Sequence, residues 1–336
     1  MRVMRMLAAA FAMALSLVGA AAVQAEPVQI KIGYVIPVAN WPSFVFTDTK
    51  LLPHYGKSYV VEAMQYRSTP AMVNALSVGE LNFADLAYSS VAFAIENAGM
   101  KDLRVIADEV QDGKDGYYSG EFYVAKDSGI AKVEDLKGKV LATASAGSAV
   151  DIAARMMLRK HGLEDRRDYS VIESPWPTMR AMLAEKKVAF VPTTLPFSTD
   201  PWWRENGKLL FTQKDAMGKS QLIVLTGRKE FIDKNRAALV DFFQDVIGAL
   251  AHYTDPKNRS EILALAAKLT RQPEKTFESW LFTNQDYYRS PDLVPDLDGL
   301  QAAVDAQKEV GFLKERIDIK AYADLSLVQE AAKRGK

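Results

Sequence analysis

Three short stretches of this chain bring hydroxyl groups to the start of a helix. Ala144-Ser145-Ala146-Gly147-Ser148-Ala149 follows the apolar run Val140 to Thr143 and precedes a helical stretch. Tyr88-Ser89-Ser90 follows Phe83 to Leu86, and Ser68-Thr69-Pro70 follows Tyr59 to Gln65. The first amides of a helix have no intrahelical acceptor and carry partial positive charge. Hydroxyls beside them make a donor-rich concavity, which suits an oxyanion or another strongly polar group without a full counter-charge. Arg67 is the one cation at such a strand end, and its planar fork suits a carboxylate or sulfonate. An exposed or salt-bridged surface arginine has the same sequence signature.

Catalytic patterns are absent by comparison. The chain has no cysteine, and its three histidines, His54, His161 and His252, lack metal-ligand spacing. No Gly-x-Ser-x-Gly elbow and no Walker phosphate loop occurs, which argues against a serine hydrolase and against ATP hydrolysis by this chain. No cofactor is implied.

The elements that must position these groups follow from periodicity. Short apolar runs alternate with helical stretches, the pattern of βαβ units and an α/β fold rich in parallel strands. Strands are expected over 28–35, 59–65, 80–86 and 103–107, then over 122–125, 140–143, 169–172 and 188–191. Gln221 to Thr226 reads as a strand returning to the first series. In the helix from Ser148 to His161, Ala149, Ile152, Ala153, Met156 and Met157 share one face. Helices are also expected around Leu239–Leu250, Leu263–Leu269 and Leu297–Val310, the last with Gly311 as its stop.

Two strand series imply two lobes, 26–118 with 221–336 and 119–220, joined by two crossing segments that act as a hinge. Ligands of open parallel sheets sit beyond the carboxyl ends of the strands. The candidate cleft residues are therefore Asn40, Trp41, Arg67, Ser68, Thr69, Tyr88, Ser89 and Ser90 from the first lobe. Those of the second are Ser145, Gly147, Ser148, Ser174, Trp176, Thr193 and Thr194. Trp41 and Trp176 could wall an apolar part of a ligand or serve as ordinary packing. The serines could be helix caps alone. The doublet Trp202-Trp203 reads better as packing.

Residues 1–25 read as an export signal. Arg2 and Arg5 precede an apolar run from Met6 to Val18, and Val23-Gln24-Ala25 fits a cleavage site. With no cysteine after it, the product is expected to float free in a periplasm. The chain of 336 residues holds 42 basic and 42 acidic side chains, a balance that disfavours nucleic acid as a partner. About 310 mature residues suffice for one large or two medium domains.

Ordered motifs carry a resemblance. Ala75-Leu76-Ser77-Val78-Gly79-Glu80-Leu81-Asn82-Phe83 resembles a recurrent segment of the nitrate, sulfonate and taurine class of periplasmic solute-binding proteins. Asp135-Leu136-Lys137-Gly138-Lys139 with Gly147-Ser148 resembles the start of that family's second lobe. Arg180 to Ala189 resembles a second copy of the first segment. Asn82 stands where an Asp is usual, Lys186-Lys187 where a Gly is usual, and Ala189-Phe190 where Asp-Ala is usual.

The resemblance implies a type II periplasmic-binding fold. It implies delivery of a solute to the membrane permease of an ABC importer. With the donor-rich helix starts and the two tryptophans, the expected protein is a monomer that captures a small organic anion, a sulfonate or carboxylate with a possible aromatic body. Two other classes stay open: a periplasmic ligand sensor for a membrane receptor, and an enzyme like the thiamine-pyrimidine synthases. The missing cysteine and the export signal speak against the enzyme.

Overall fold

The computed structural model describes residues 26–335, so the expected leader lies outside the described residues. Ten strands form within this range: β1 (Val28–Tyr34), β2 (Tyr59–Gln65), β3 (Phe83–Ala87), β4 (Leu103–Asp112), β5 (Glu121–Ala125), β6 (Val140–Thr143), β7 (Ser170–Glu173), β8 (Val191–Thr193), β9 (Gly207–Thr212) and β10 (Ser220–Arg228). Helices of nine residues or more are α1 (Thr69–Ser77), α2 (Tyr88–Glu96), α3 (Ala149–Lys160), α4 (Arg236–Thr254), α5 (Arg259–Thr270), α6 (Leu297–Glu309) and α7 (Ser326–Arg334).

The first lobe is built on a five-stranded sheet in the order β2-β1-β3-β10-β4. β1 pairs in parallel with both β2 and β3. β10 runs antiparallel between β3 and β4. Its direction follows from the hinge. β4 leaves this sheet for the second lobe and β10 comes back, with Ser220 at the start of β10 facing Asp112 at the end of β4. Strands that leave and re-enter a sheet at the same end must run in opposite directions. The second lobe has an antiparallel trio, β8-β5-β9, and a parallel pair, β6–β7. The amide of Ala142 donates to the Phe190 carbonyl at 2.9 Å and links the two.

β4 runs five residues beyond its expected end, through Asp108, Glu109, Gln111 and Asp112. Polarity marks those residues as a loop in the sequence. They stay in the strand because buried partners accept or donate to each. Asp108 accepts from the Ser290 amide at 2.7 Å and from Gln221 at 2.6 Å; Asp112 accepts from Ser119 and the Gly120 amide.

Each lobe has its own apolar core. Phe83, Phe242, Phe243 and Trp41 pack together in the first, and Phe122 stacks on Phe211 with centroids 4.6 Å apart in the second. α3 serves both. Ala149, Ile152 and Met156 pack into the first-lobe core, while Ala153 and Met157 pack into the second. Its apolar stripe is therefore a joint between lobes. At the hinge, Gly113 adopts a φ of +77°, and a Cβ there would lie 2.6 Å from the carbonyl oxygen of Gly218. The two crossing segments touch where only glycine fits.

Candidate functional site

β3 ends at the first turn of α2, β6 runs through the Ala144–Gly147 loop into α3, and β2 leads into α1. These helix starts face one another across the lobes. The Tyr88 hydroxyl at the start of α2 donates to the Ala149 carbonyl of α3 at 2.8 Å. Beside this contact lies a cleft of about 760 Å³, including its part open to solvent. The first lobe contributes Asn40, Ser68, Thr69 and Asp85 to its lining, and the second contributes Ser148, Trp176, Thr194 and Gln213. Tyr287 closes it from the segment before α6. A wider groove leads outward past Ile36 and Trp176 to the Pro196–Trp203 loop.

Six of the sequence-derived candidates line this cleft, Asn40, Ser68, Thr69, Ser148, Trp176 and Thr194; Tyr88 is outside the lining and bonds the Ala149 carbonyl, whose residue lines it. Asn40 is buried and ordered on both sides. Its Oδ1 accepts from the Ile36 amide at 2.8 Å, and its Nδ2 donates to Glu109 at 3.1 Å. Thr69 accepts from the Ser90 hydroxyl at 2.8 Å, so Ser90 fixes a cleft residue from behind. Thr194 and the Tyr287 hydroxyl share a hydrogen bond of 2.8 Å across the lobes. Trp176 lies parallel to Phe197, with centroids 6.5 Å apart.

Ser148 is the N-cap of α3, yet its hydroxyl makes no cap bond and has no partner among the described residues. Asp151, three residues on, does the neighbouring work by accepting from the Gly147 amide at 2.9 Å. The Ser148 hydroxyl is left for the cleft. Gly147 is needed for the turn, with φ at +72°.

Other candidates stand elsewhere. Trp41 is fully buried in the first-lobe core against Phe46 and Phe242, outside the lining. Its ring packs edge-on to Phe46 and tilted against Phe242, an aromatic cluster that takes up its bulk inside the lobe. Arg67 is exposed and outside the lining, because it immediately precedes the buried pair Ser68-Thr69 and points away with the outer face of that turn. Ser89 and Thr193 are buried with unpartnered hydroxyls but lie behind the lining. Ser145 is half-buried and accepts from the Ser148 amide through its carbonyl, shaping the turn. Ser174 bonds Thr178. Trp203 packs on Tyr123 with Trp202 at its edge, the packing role expected of that doublet.

Sequence reasoning passed over Asp85, Gln213 and Tyr287. Asp85 left a signal: it is the one charged residue within β3, all five of whose residues are buried. Neither of its carboxylate oxygens has a hydrogen-bond partner among the described residues. Burial, and then the nearby Glu109, push its carboxyl well above the usual range. Glu109 is raised by burial as well, although Arg289, Asn40 and the Trp41 amide oppose the rise. Gln213 also keeps an unpartnered Nε2 in the lining. No lysine, arginine or histidine lines the cleft among the described residues, and no acidic, histidine and cysteine cluster fit for a metal occurs among them.

The fold has close counterparts. The alkanesulfonate-binding protein SsuA from Xanthomonas axonopodis pv. citri, bound to MOPS, superposes with a TM-score of 0.70 at 18% identity, covering 90% of this chain and 99% of its own. The periplasmic aliphatic sulphonate-binding protein SsuA from Escherichia coli gives 0.68 at 20% identity, with 88% and 92% covered. The periplasmic nitrate-binding protein NrtA from Synechocystis PCC 6803 gives 0.69 at 16% identity, with 92% and 89% covered. These superpositions show the two-lobed periplasmic-binding fold. No curated protein sequence matches the chain. A family model does, over residues 23–267, and by that match the chain belongs to the NMT1-like family.

Proposed function

We propose that this chain is the extracytoplasmic solute-binding component of an ABC importer, holding a small organic solute between its lobes. The observation that carries the reading is the shared cleft, with unpartnered polar atoms contributed by Asp85 from one lobe and by Ser148 and Gln213 from the other. A ligand touching both lobes only when they are closed biases that form. The structural counterparts named above are binding proteins, which supports binding rather than catalysis. Residues 26–118 with 221–336 would be one moving body and 119–220 the other. The protein would act as a monomer in the periplasm after loss of residues 1–25, and its macromolecular partner would be the importer's membrane permease.

The expectation of an organic anion rests on the hydroxyls and free amides at the helix starts and on Arg67. In the cleft it would depend on hydroxyls and the first amides of α3, without a cation among the described lining residues. A thermal-shift screen over sulfonates, aliphatic and aromatic carboxylates, nitrate, amines and pyrimidines tests the function. A bound solute should raise the melting temperature and reduce the radius of gyration in small-angle scattering. A solute that binds without compaction would sink the closing-cleft reading.

A further inference from the structure

We propose that Asp85 selects the charge of the solute, and that the solute carries a cationic nitrogen, an ammonium or amidinium, seated on this carboxylate. The inference rests on the solute-binding reading and specifies its ligand class. Asp85 is 1% exposed and lines the cleft, and both its oxygens lack partners among the described residues. A buried carboxyl without hydrogen bonds is costly, and a partner bound in the cleft would offset that cost.

The surrounding protein does not complete it. Glu109 is the charged group bearing on Asp85, and it is acidic. Arg289 bears on Glu109, Asp108 and Asp286 rather than on Asp85: it pairs with Asp286 at 2.9 Å and donates to the Ala39 carbonyl at 2.8 Å, with its Nε left unpartnered among the described residues. Asn40 and the Trp41 amide are both spent on one oxygen of Glu109. Ala87, two residues beyond Asp85 on the same face of β3, also lines the cleft, so this face of the strand is the cleft floor.

The rest of the lining fits a cation with an apolar body. Val35, Ile36, Val110 and Leu222 are apolar, and Trp176 offers an aromatic face. Ser148 and Gln213 can hydrogen-bond a polar end at the far side. An anion placed there would sit within reach of a buried acid and find no balancing cation among the described lining residues. A cation instead gives Asp85 a charge-assisted hydrogen bond and stabilises its ionised form.

Ligand pairs of like body and opposite charge test this directly: the near-isosteric benzamidine and benzoate, and cyclohexylamine against cyclohexanecarboxylate. Each is titrated calorimetrically into the full mature chain and into Asp85→Asn. The expected result is binding of the cationic member with its anionic partner at least about tenfold weaker. Asp85→Asn should weaken the cation about tenfold or more while the anion is not weakened. Absence of binding by both cations overturns the inference, as does equal or tighter binding of the anions. Equal cation affinity in a folded Asp85→Asn overturns it too. If that variant fails to fold, the charge preference of the wild-type protein decides alone. Anions that bind and compact the protein would leave the solute-binding function standing with the opposite charge class. Binding of any member without compaction counts against closure, separately from the charge assignment.

Discussion

Arg67 and Ser68 are neighbours, yet one faces solvent and the other faces the cleft. A strand end fixes which loop approaches the ligand; the side of the turn fixes which residue does. Arg67→Ala should therefore change solute affinity by less than about 0.5 kcal/mol, the usual range for a surface substitution. Calorimetry on a confirmed ligand checks this, and a tenfold loss would return Arg67 to the site. Asp85 shows the opposite case. A single acid inside an otherwise apolar strand is legible in the sequence, but only its surroundings reveal that it lacks a partner. Ser148 reads as a helix cap by type and position. The structure differs: the Ser148 hydroxyl makes no cap bond and has no partner among the described residues, while Asp151 accepts from the Gly147 amide.

At the scale of elements, α3 is the joint on which closure depends. Its two apolar faces pack into different lobes, and its first carbonyl accepts from Tyr88. Tyr88→Phe removes that interlobe hydrogen bond while keeping the ring. The closed form should lose about 0.5–1.5 kcal/mol, read as weaker solute binding and a larger radius of gyration in the solute-bound protein. Unchanged affinity and scattering would show that the contact does not discriminate between open and closed forms. The hinge depends on the Gly113–Gly218 approach. Gly113→Ala forces a Cβ toward a backbone oxygen at positive φ, so it should cost more than about 1 kcal/mol in chemical denaturation. A neutral substitution would show that the crossing segments can separate without penalty.

The whole molecule stores several buried acids near the interlobe region. Burial raises Asp108 to about 6 and Asp112 to about 7, against hydrogen bonds and nearby cations that lower them. Glu121, at the start of β5, is raised by burial to about 7. Asp85 and Glu109 are raised in the same direction. A folded state that holds protons the unfolded chain would release is favoured at low pH. Its advantage is full below about pH 4 and is lost as pH rises through about 6 to 8. The ligand-free protein should accordingly melt at a higher temperature near pH 5 than near pH 8. Scanning calorimetry tests the sign: a melting temperature that rises over that interval would mean these carboxyls ionise in the fold without cost.

Much of the architecture was settled by local pattern. Apolar runs and helix starts marked nearly every strand and helix, the two series of strands marked two lobes, and strand ends marked the loops that meet at the cleft. Those features depend on neighbours in sequence, so the sequence carries them. The direction of β10 within its sheet, the burial of Trp41 and the exposure of Arg67 depend on how distant segments meet. So does the isolation of Asp85, whose two oxygens find no partner although Asn40 and the Trp41 amide, distant in the chain, come close enough to bind Glu109. Whether a buried charge has a partner is a property of three-dimensional packing, and that is why the chemistry of the cleft became readable only in the folded molecule.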